Sequence, residues 1–303
     1  MSRAAVEAPR LLLGTESLLG VTRATRDRAL QVAARFAEPE SLAVTFSKAL
    51  KVGADGVLAS PTRTLRAALR ELKGVVPVYA LLPNIPEYVR DSSEMGLLGA
   101  ARKRVDQAPF GARLGLTLSG LRRAGGVLRS DLTAMVPLWL ELEAAWLDAR
   151  DLRGVVLAAP ITDLALAGRH RRFFETYCRF VRGRFRAAAA FETDNLGHLL
   201  AALDEWGIAP DFVVGPVNPR GLMMKPSPQE LLAELARSSV PVLARELRAG
   251  GTVPLAEGAR FAMARGARGL VADVVDMDDM AGEMSVLRAI AAREPVAADP
   301  GRA

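Results

Sequence analysis

AAAAFETDNLGHLLAALDEWGIAPDFVVGPVN (187–218) reads as a strand, a helix and a second strand. An apolar run breaks at Glu192-Thr193-Asp194-Asn195, a helical stretch follows, and a second apolar run breaks at Asn218. A helix between two strands implies that the strands are parallel. Working outward, the same alternation recurs in LLLG (11–14), GVLAS (56–60), PVYALLPN (77–84), GVVLAAPITD (154–163), VPVLARE (240–246) and GLVADV (269–274). Eight such units predict an α/β fold of the (β/α)8 TIM-barrel type over residues 1–303 as one domain. In that fold the chemistry lies at the C-terminal ends of the strands.

One connection breaks the rhythm. No strand pattern is visible from Pro86 to Arg153, only apolar-periodic stretches, so a helical insertion over 86–153 is expected on the third βα unit. Loops after strands rise on the site face, which places this insertion to act as a lid. An oligomer contact or an elaboration of the outer helical ring are the alternatives. Its last segment, MVPLWLELEAAWL (135–147), is interrupted by Glu141 and Glu143 and reads as an amphipathic helix, not a membrane span.

Composition excludes several classes. Half the residues are hydrophobic, enough for a large core. The single Cys178 rules out a disulfide framework and points to a reducing cytoplasm. No signal peptide is visible. The net charge of +6 could suit an anionic ligand, but the basic residues are scattered over helices. Only RHRRFFETYCRFVRGRFR (169–186) concentrates them, and there Phe173, Phe174, Tyr177 and Phe180 are expected to bury against the sheet, leaving a solvated basic face. The reading is of no nucleic-acid and no membrane partner, with a small molecule as substrate and a homo-oligomer left open.

Position at the strand ends selects the candidate site residues. Glu192 interrupts a run of alanines and should point into the barrel mouth; Arg245 and Glu246 end another apolar strand, and alternation sends one inward and the other outward. Glu192 and Glu246 are the candidate acid and base, because burial and like charge raise a carboxyl pKa. Glu16, Asn84, Asp163, Asn195, Asn218 and Arg245 are the candidate binding residues, with capping as the alternative for Asn195. Asp273 and Asp276 follow the last strand. The carboxylates could also hold a divalent cation, although no residue set defines a metal site. Gly250 and Gly251 precede a helix and form a candidate anion loop, with an ordinary loop as the alternative.

Other chemistries lack their residues. The two histidines, His170 and His198, fall in helices, which argues against a histidine metal site or a Ser-His-Asp triad. The five lysines lie away from strand ends, and neither a P-loop nor GxGxxG is present.

The stretch 192–221 resembles aldo/keto reductase barrels, in which a strand ending in Ser-Asn, a helix and a strand ending in Tyr-Asn-Pro follow one another. Asp194-Asn195 and Val217-Asn218-Pro219 stand at those positions, and 240–274 looks like the family's later strand, glycine-containing loop, helix and final strand. The resemblance implies an NADP cofactor whose nicotinamide amide is held by Asn195. The family's catalytic Asp, Tyr, Lys and His are not matched in SPTRTLRAAL, LLPN or APITD, and an acidic ADVVDMDD stands where its cofactor phosphate would be met. The chain also looks like prokaryotic barrel proteins with GTxxLxG at the start, here Gly14 to Gly20, and Asn-Pro after a late strand. That resemblance implies no activity.

The function expected from the residues is non-redox acid–base chemistry, of lyase, isomerase or hydrolase type, on a small polar or anionic metabolite. A divergent NADP-dependent oxidoreductase and a non-catalytic metabolite- or partner-binding barrel are the alternatives.

Overall fold

A computed structural model describes residues 7–19, 26–85, 132–273 and 280–292, together with Ser93, Glu94, Lys103 and Asp106. Eight parallel strands close into a barrel in chain order: β1 (Leu11–Gly14), β2 (Gly56–Ala59), β3 (Pro77–Leu82), β4 (Asp151–Leu157), β5 (Ala188–Glu192), β6 (Phe212–Pro216), β7 (Val242–Arg245) and β8 (Gly269–Ala272). The helices around it are α1 (Arg26–Arg35), α2 (Pro39–Lys51), α3 (Arg63–Glu71), α4 (Leu132–Leu147) and α5 (Ala159–Ala167). They continue with α6 (Arg171–Arg184), α7 (Leu196–Trp206), α8 (Pro228–Arg237), α9 (Leu255–Ala264) and α10 (Met280–Ala291). This is the (β/α)8 architecture expected from the strand rhythm. None of the described helices is long and apolar enough to cross a membrane.

Local chemistry explains several boundaries. Thr62 caps α3, its hydroxyl accepting from the Leu65 amide at 3.2 Å, and Ser227 does the same for α8 from Glu230 at 3.2 Å. Neither Glu40 nor Ser41 caps α2: the helix starts at Pro39, whose fixed φ suits the first turn, and no side chain caps it. The strand expected to begin at Gly154 begins at Asp151, inside the range assigned to the insertion, because its polar start Asp151-Leu152-Arg153 conceals the strand pattern. That strand also ends earlier than expected. Pro160 in the first turn of α5 starts a helix, so Thr162 and Asp163 sit on that helix. Most of the expected insertion, 86–131 apart from Ser93, Glu94, Lys103 and Asp106, lies outside the described residues; α4 belongs to its final part and packs on β3 and α6.

Glu141 and Glu143 do not make α4 amphipathic in the expected way, since both are buried. Glu141 pairs with Arg184 at 2.7 Å, and Glu143 accepts from the Asn84 amide at 3.4 Å. Each charge therefore ties α4 to a neighbour: α6 on one side, the end of β3 on the other.

Two cores share the sheet. Outside the strands, Phe174 and Tyr177 pack on Phe191, with Tyr177 and Phe191 centroids 4.9 Å apart, and Trp206 packs on Phe174. The Tyr177 hydroxyl donates to the carbonyls of Val155 (2.9 Å) and Ala190 (3.1 Å), which satisfies it at full burial. Burial pushes the Cys178 thiol on the same helix up to about 12, so it has no nucleophilic role. Inside the barrel, Tyr79 and Phe212 meet edge to face at 5.8 Å. Their rings fill space left by Gly154, Ala188 and Ala190, which is why β5 is built from alanines.

A β-carbon on Gly154 would lie 2.6 Å from Tyr79 Cδ1 and 3.2 Å from Cε1. Gly154→Ala should therefore displace the ring and destabilise the barrel by about 1–3 kcal/mol in chemical denaturation. A variant as stable as the parent would show that the interior is looser than this packing indicates.

Candidate active site at the C-terminal end of the barrel

Strand alternation decides which side chains reach the mouth. Leu12, Ala190, Leu243 and Val271 belong to the interior cluster. Two residues further along each strand direction stand Gly14, Glu192, Arg245 and Asp273, and two beyond Gly14 stands Glu16. Thr15 faces the neighbouring strand instead, its hydroxyl donating to the Leu58 carbonyl at 2.9 Å and accepting from the Ser60 amide at 3.1 Å. Gly14 leaves room for Asp273, whose Oδ1 would lie 2.9 Å from a β-carbon there.

Arg245 is the centre of this layer. Its side chain is 11 % exposed; it forms an ion pair with Asp194 and lies 3.7 Å from Glu192 through Nε. Burial works against its charge, but Glu192, Asp194, Glu16 and Glu246 together hold the guanidinium protonated. The other Glu192 oxygen accepts from the Ala159 amide at 3.3 Å, at the start of α5. Asp163, also on α5, accepts from the Thr193 hydroxyl and, at 3.1 Å, from the Asp194 amide. Thr193 in turn accepts from the Asn195 amide at 2.9 Å, so the turn after β5 is held with Asp194 facing Arg245.

Among the described residues carboxyl groups outnumber cations here, and two of them carry the consequence. Burial, then the Glu192 carboxylate, pushes the Glu16 carboxyl up to about 8, against the opposing pull of Arg245. Burial, then Glu246, pushes Asp273 up to about 6. Glu16 is half-buried, so a protonated acid faces reachable space at neutral pH.

The site residues expected from sequence are distributed unevenly. Glu16, Glu192, Arg245 and Glu246 share one electrostatic cluster. Alternation sends Arg245 inward, and Glu246, with φ of 56°, turns out of the strand beside Asp273. Asp163 holds the turn after β5. Asn84 donates through its side chain to the Pro61 carbonyl at 2.9 Å, joining the ends of β2 and β3. Asn218 is buried and closes its own loop, donating to the Leu222 carbonyl at 2.9 Å and accepting from the Leu222 amide at 3.0 Å. Asn195 lines a groove of about 370 Å³ between α5 and α7, together with Asp163 and His198.

In the loop holding Gly250 and Gly251, both glycines have positive φ and the Arg248 carbonyl accepts from Gly251 (2.9 Å) and Val253 (3.0 Å). Those two amides are thus used within the loop. Asp194 and Asp273, which position at the strand ends marks without giving them a chemical role, belong to the cluster; Asp273 stands two residues beyond the inward Val271 and Asp194 two beyond Glu192. Asp276 lies outside the described residues.

Among the described residues, no group of three or more His, Cys, Asp or Glu is arranged to hold a metal ion. The residues present do not assemble the nicotinamide site that the aldo/keto reductase resemblance implies. Asn195 alone matches, and it lines the groove between helices.

Among solved structures, the chain is similar to Gox0644 in its apo form, at 12 % identity and a TM-score of 0.51, covering 97 % of this chain and 91 % of that one. An aldo/keto reductase from Brucella melitensis is also similar, at 10 % identity and a TM-score of 0.45, covering 94 % of each chain. No family model matches the chain, and no curated protein does. The likeness is one of fold. The closed eight-stranded parallel barrel is consistent with the resemblance read from residues 192–274, at the level of fold alone.

The Glu16 shift has a stability consequence. The unfolded chain releases this proton near the ordinary 4.5, while the folded chain keeps it to about 8. The stability Glu16 contributes is therefore present below 4.5 and lost as pH rises through about 8. Glu16→Gln, neutral at every pH, should melt higher than the parent above pH 8 and flatten the decline, as read by thermal denaturation across pH. Parallel pH profiles would contradict the buried, like-charged setting of Glu16.

Proposed function

We propose that the mouth is an acid–base active site for a small polar metabolite. The observation that carries this reading is Glu16: a half-buried carboxyl that retains its proton to about 8, beside a Glu192 carboxylate held by Arg245. A general acid works best with a pKa near the working pH, and burial with like charge is the ordinary way to bring a carboxyl there. Glu16 is the proton donor in this reading and Glu192 the proton acceptor. Arg245 steadies the charge that develops between them. Glu246, expected from sequence as one of the pair, acts instead on Asp273.

Arg245 is engaged by carboxylates on its own chain, which argues against its gripping an anionic substrate. The reaction class that fits is proton transfer at a polar substrate, of lyase, isomerase or hydrolase type. A barrel whose chain ordering places the acid just after β1 and its partners on β5 and β7 is well suited to this, since the three come from different strands around the mouth.

Carbon-13 NMR of side-chain-labelled glutamate tests the reading directly. One carboxyl resonance should titrate near 8 and vanish in Glu16→Gln. Titration of that resonance near the ordinary 4.5 would sink the assignment. With any substrate turned over, Glu16→Gln should lower kcat by roughly 10²–10⁴-fold, the range lost with a general acid.

A further inference from the structure

Arg245 stands between two carboxylates, Glu192 and Asp194, and both are held from one helix. The Ala159 amide, at the start of α5, donates to Glu192 at 3.3 Å. One turn further along α5, Asp163 uses both of its oxygens on the turn after β5. One accepts from the Thr193 hydroxyl and the other from the Asp194 amide at 3.1 Å. Thr193 is buried, and its hydroxyl also accepts from the Asn195 amide at 2.9 Å. The amides before and after the Asp194 α-carbon are therefore both tied to the Asp163–Thr193 pair. The Thr193 amide donates to the Val214 carbonyl at 3.0 Å, which anchors the same pair to the sheet.

An acid that accepts from backbone amides can serve closure alone. Asp55 and Asp211 do so at the opposite end of the barrel, where each accepts from strand amides and pairs with an arginine. Asp163 differs in what its turn carries. Asp194 reaches from that turn into the ion pair with Arg245, whose Nε lies 3.7 Å from Glu192. The Arg245 side chain is only 11 % exposed, so its charge acts on its neighbours with little screening by water.

We infer that Asp163 and Thr193 are positioning residues of the mouth: they set where Asp194 stands, and so how the Arg245 charge is divided between Asp194 and Glu192. This rests on the acid–base reading and adds to it two residues that act through others. Asp163 itself lines the groove between α5 and α7. The consequence falls on Glu16, the proton donor of that reading. Asp194 strengthens its hold on the proton and Arg245 weakens it. Releasing the turn diminishes the first effect and leaves more of the second, and both changes lower the pH at which Glu16 ionises.

Thr193→Val keeps the shape of the side chain and removes the hydroxyl, whereas Thr193→Ser keeps the hydroxyl. Asp163→Ala removes the acceptor from a half-buried position, which tests the same link if Thr193→Val does not fold. Carbon-13 NMR of side-chain-labelled glutamate in the full chain reads the Glu16 midpoint in each. In Thr193→Val and Asp163→Ala the midpoint should fall by roughly one pH unit, the scale on which a neighbouring charge moves a carboxyl. In Thr193→Ser it should stay at the parent's value.

A role in stability alone would lower the melting temperatures of Thr193→Val and Asp163→Ala and leave the Glu16 midpoint in place. That result would overturn the inference, as would an equal fall in Thr193→Ser. A parent midpoint near 8 with unmoved variants would remove only the positioning roles. A parent midpoint at the ordinary 4.5 would remove the acid–base reading and the positioning roles together.

Discussion

The seam between β1 and β8 is the interaction on which the rest of this molecule depends. Leu12 lies opposite Val271, and the Leu270 amide donates to the Arg10 carbonyl at 2.9 Å, so the last strand returns to the first. A closed parallel sheet has no edge, and every strand then has one face inside and one outside. From that follow the alanines of β5 beneath Tyr79 and Phe212, and the arrival of Glu16, Glu192, Arg245 and Asp273 at one end. At the opposite end Asp55 accepts from the Arg10 (2.7 Å) and Leu11 (3.0 Å) amides, and Asp211 accepts from Ala189 (2.7 Å) and pairs with Arg182. Those acids serve closure and packing.

The difference between the two ends is electrostatic. Asp55 and Asp211 each meet an arginine and backbone donors of their own. At the C-terminal end several carboxyl groups share Arg245, and the strain appears as retained protons on Glu16 and Asp273. Such crowding lowers stability at high pH and provides a proton donor near neutrality. On the acid–base reading proposed above, the site gives up stability for reactivity, as functional sites commonly do.

Much of this was legible in the residues. Short apolar runs at regular spacing are sufficient to read the eight strands, and Thr62 and Ser227 mark helix starts by their ability to accept from a backbone amide. Glu192 was legible because a carboxylate ending the apolar run Ala187–Phe191 has no place in an outer face covered by helices. Asp163 was misplaced by a few residues, since Ala159-Pro160 continues an apolar run in sequence yet begins a helix. Glu141 and Glu143 looked like a polar stripe because their partners, Arg184 and the Asn84 amide, are distant in the chain. Asn218 looked like a binding group for a different reason: its engagement with Leu222, four residues on, depends on how the loop turns.

The sequence by itself determined the order of elements and the short list of polar residues at strand ends, because periodicity and capping act over a few neighbouring residues. Only the tertiary structure decided which of those residues act together. Arg245 is 53 residues from Glu192 and more than two hundred from Glu16, and barrel closure brings all three to one surface. Which carboxyl keeps its proton depends on burial and on charges supplied by other strands. Those are properties of the closed sheet, and no local stretch of the chain contains them.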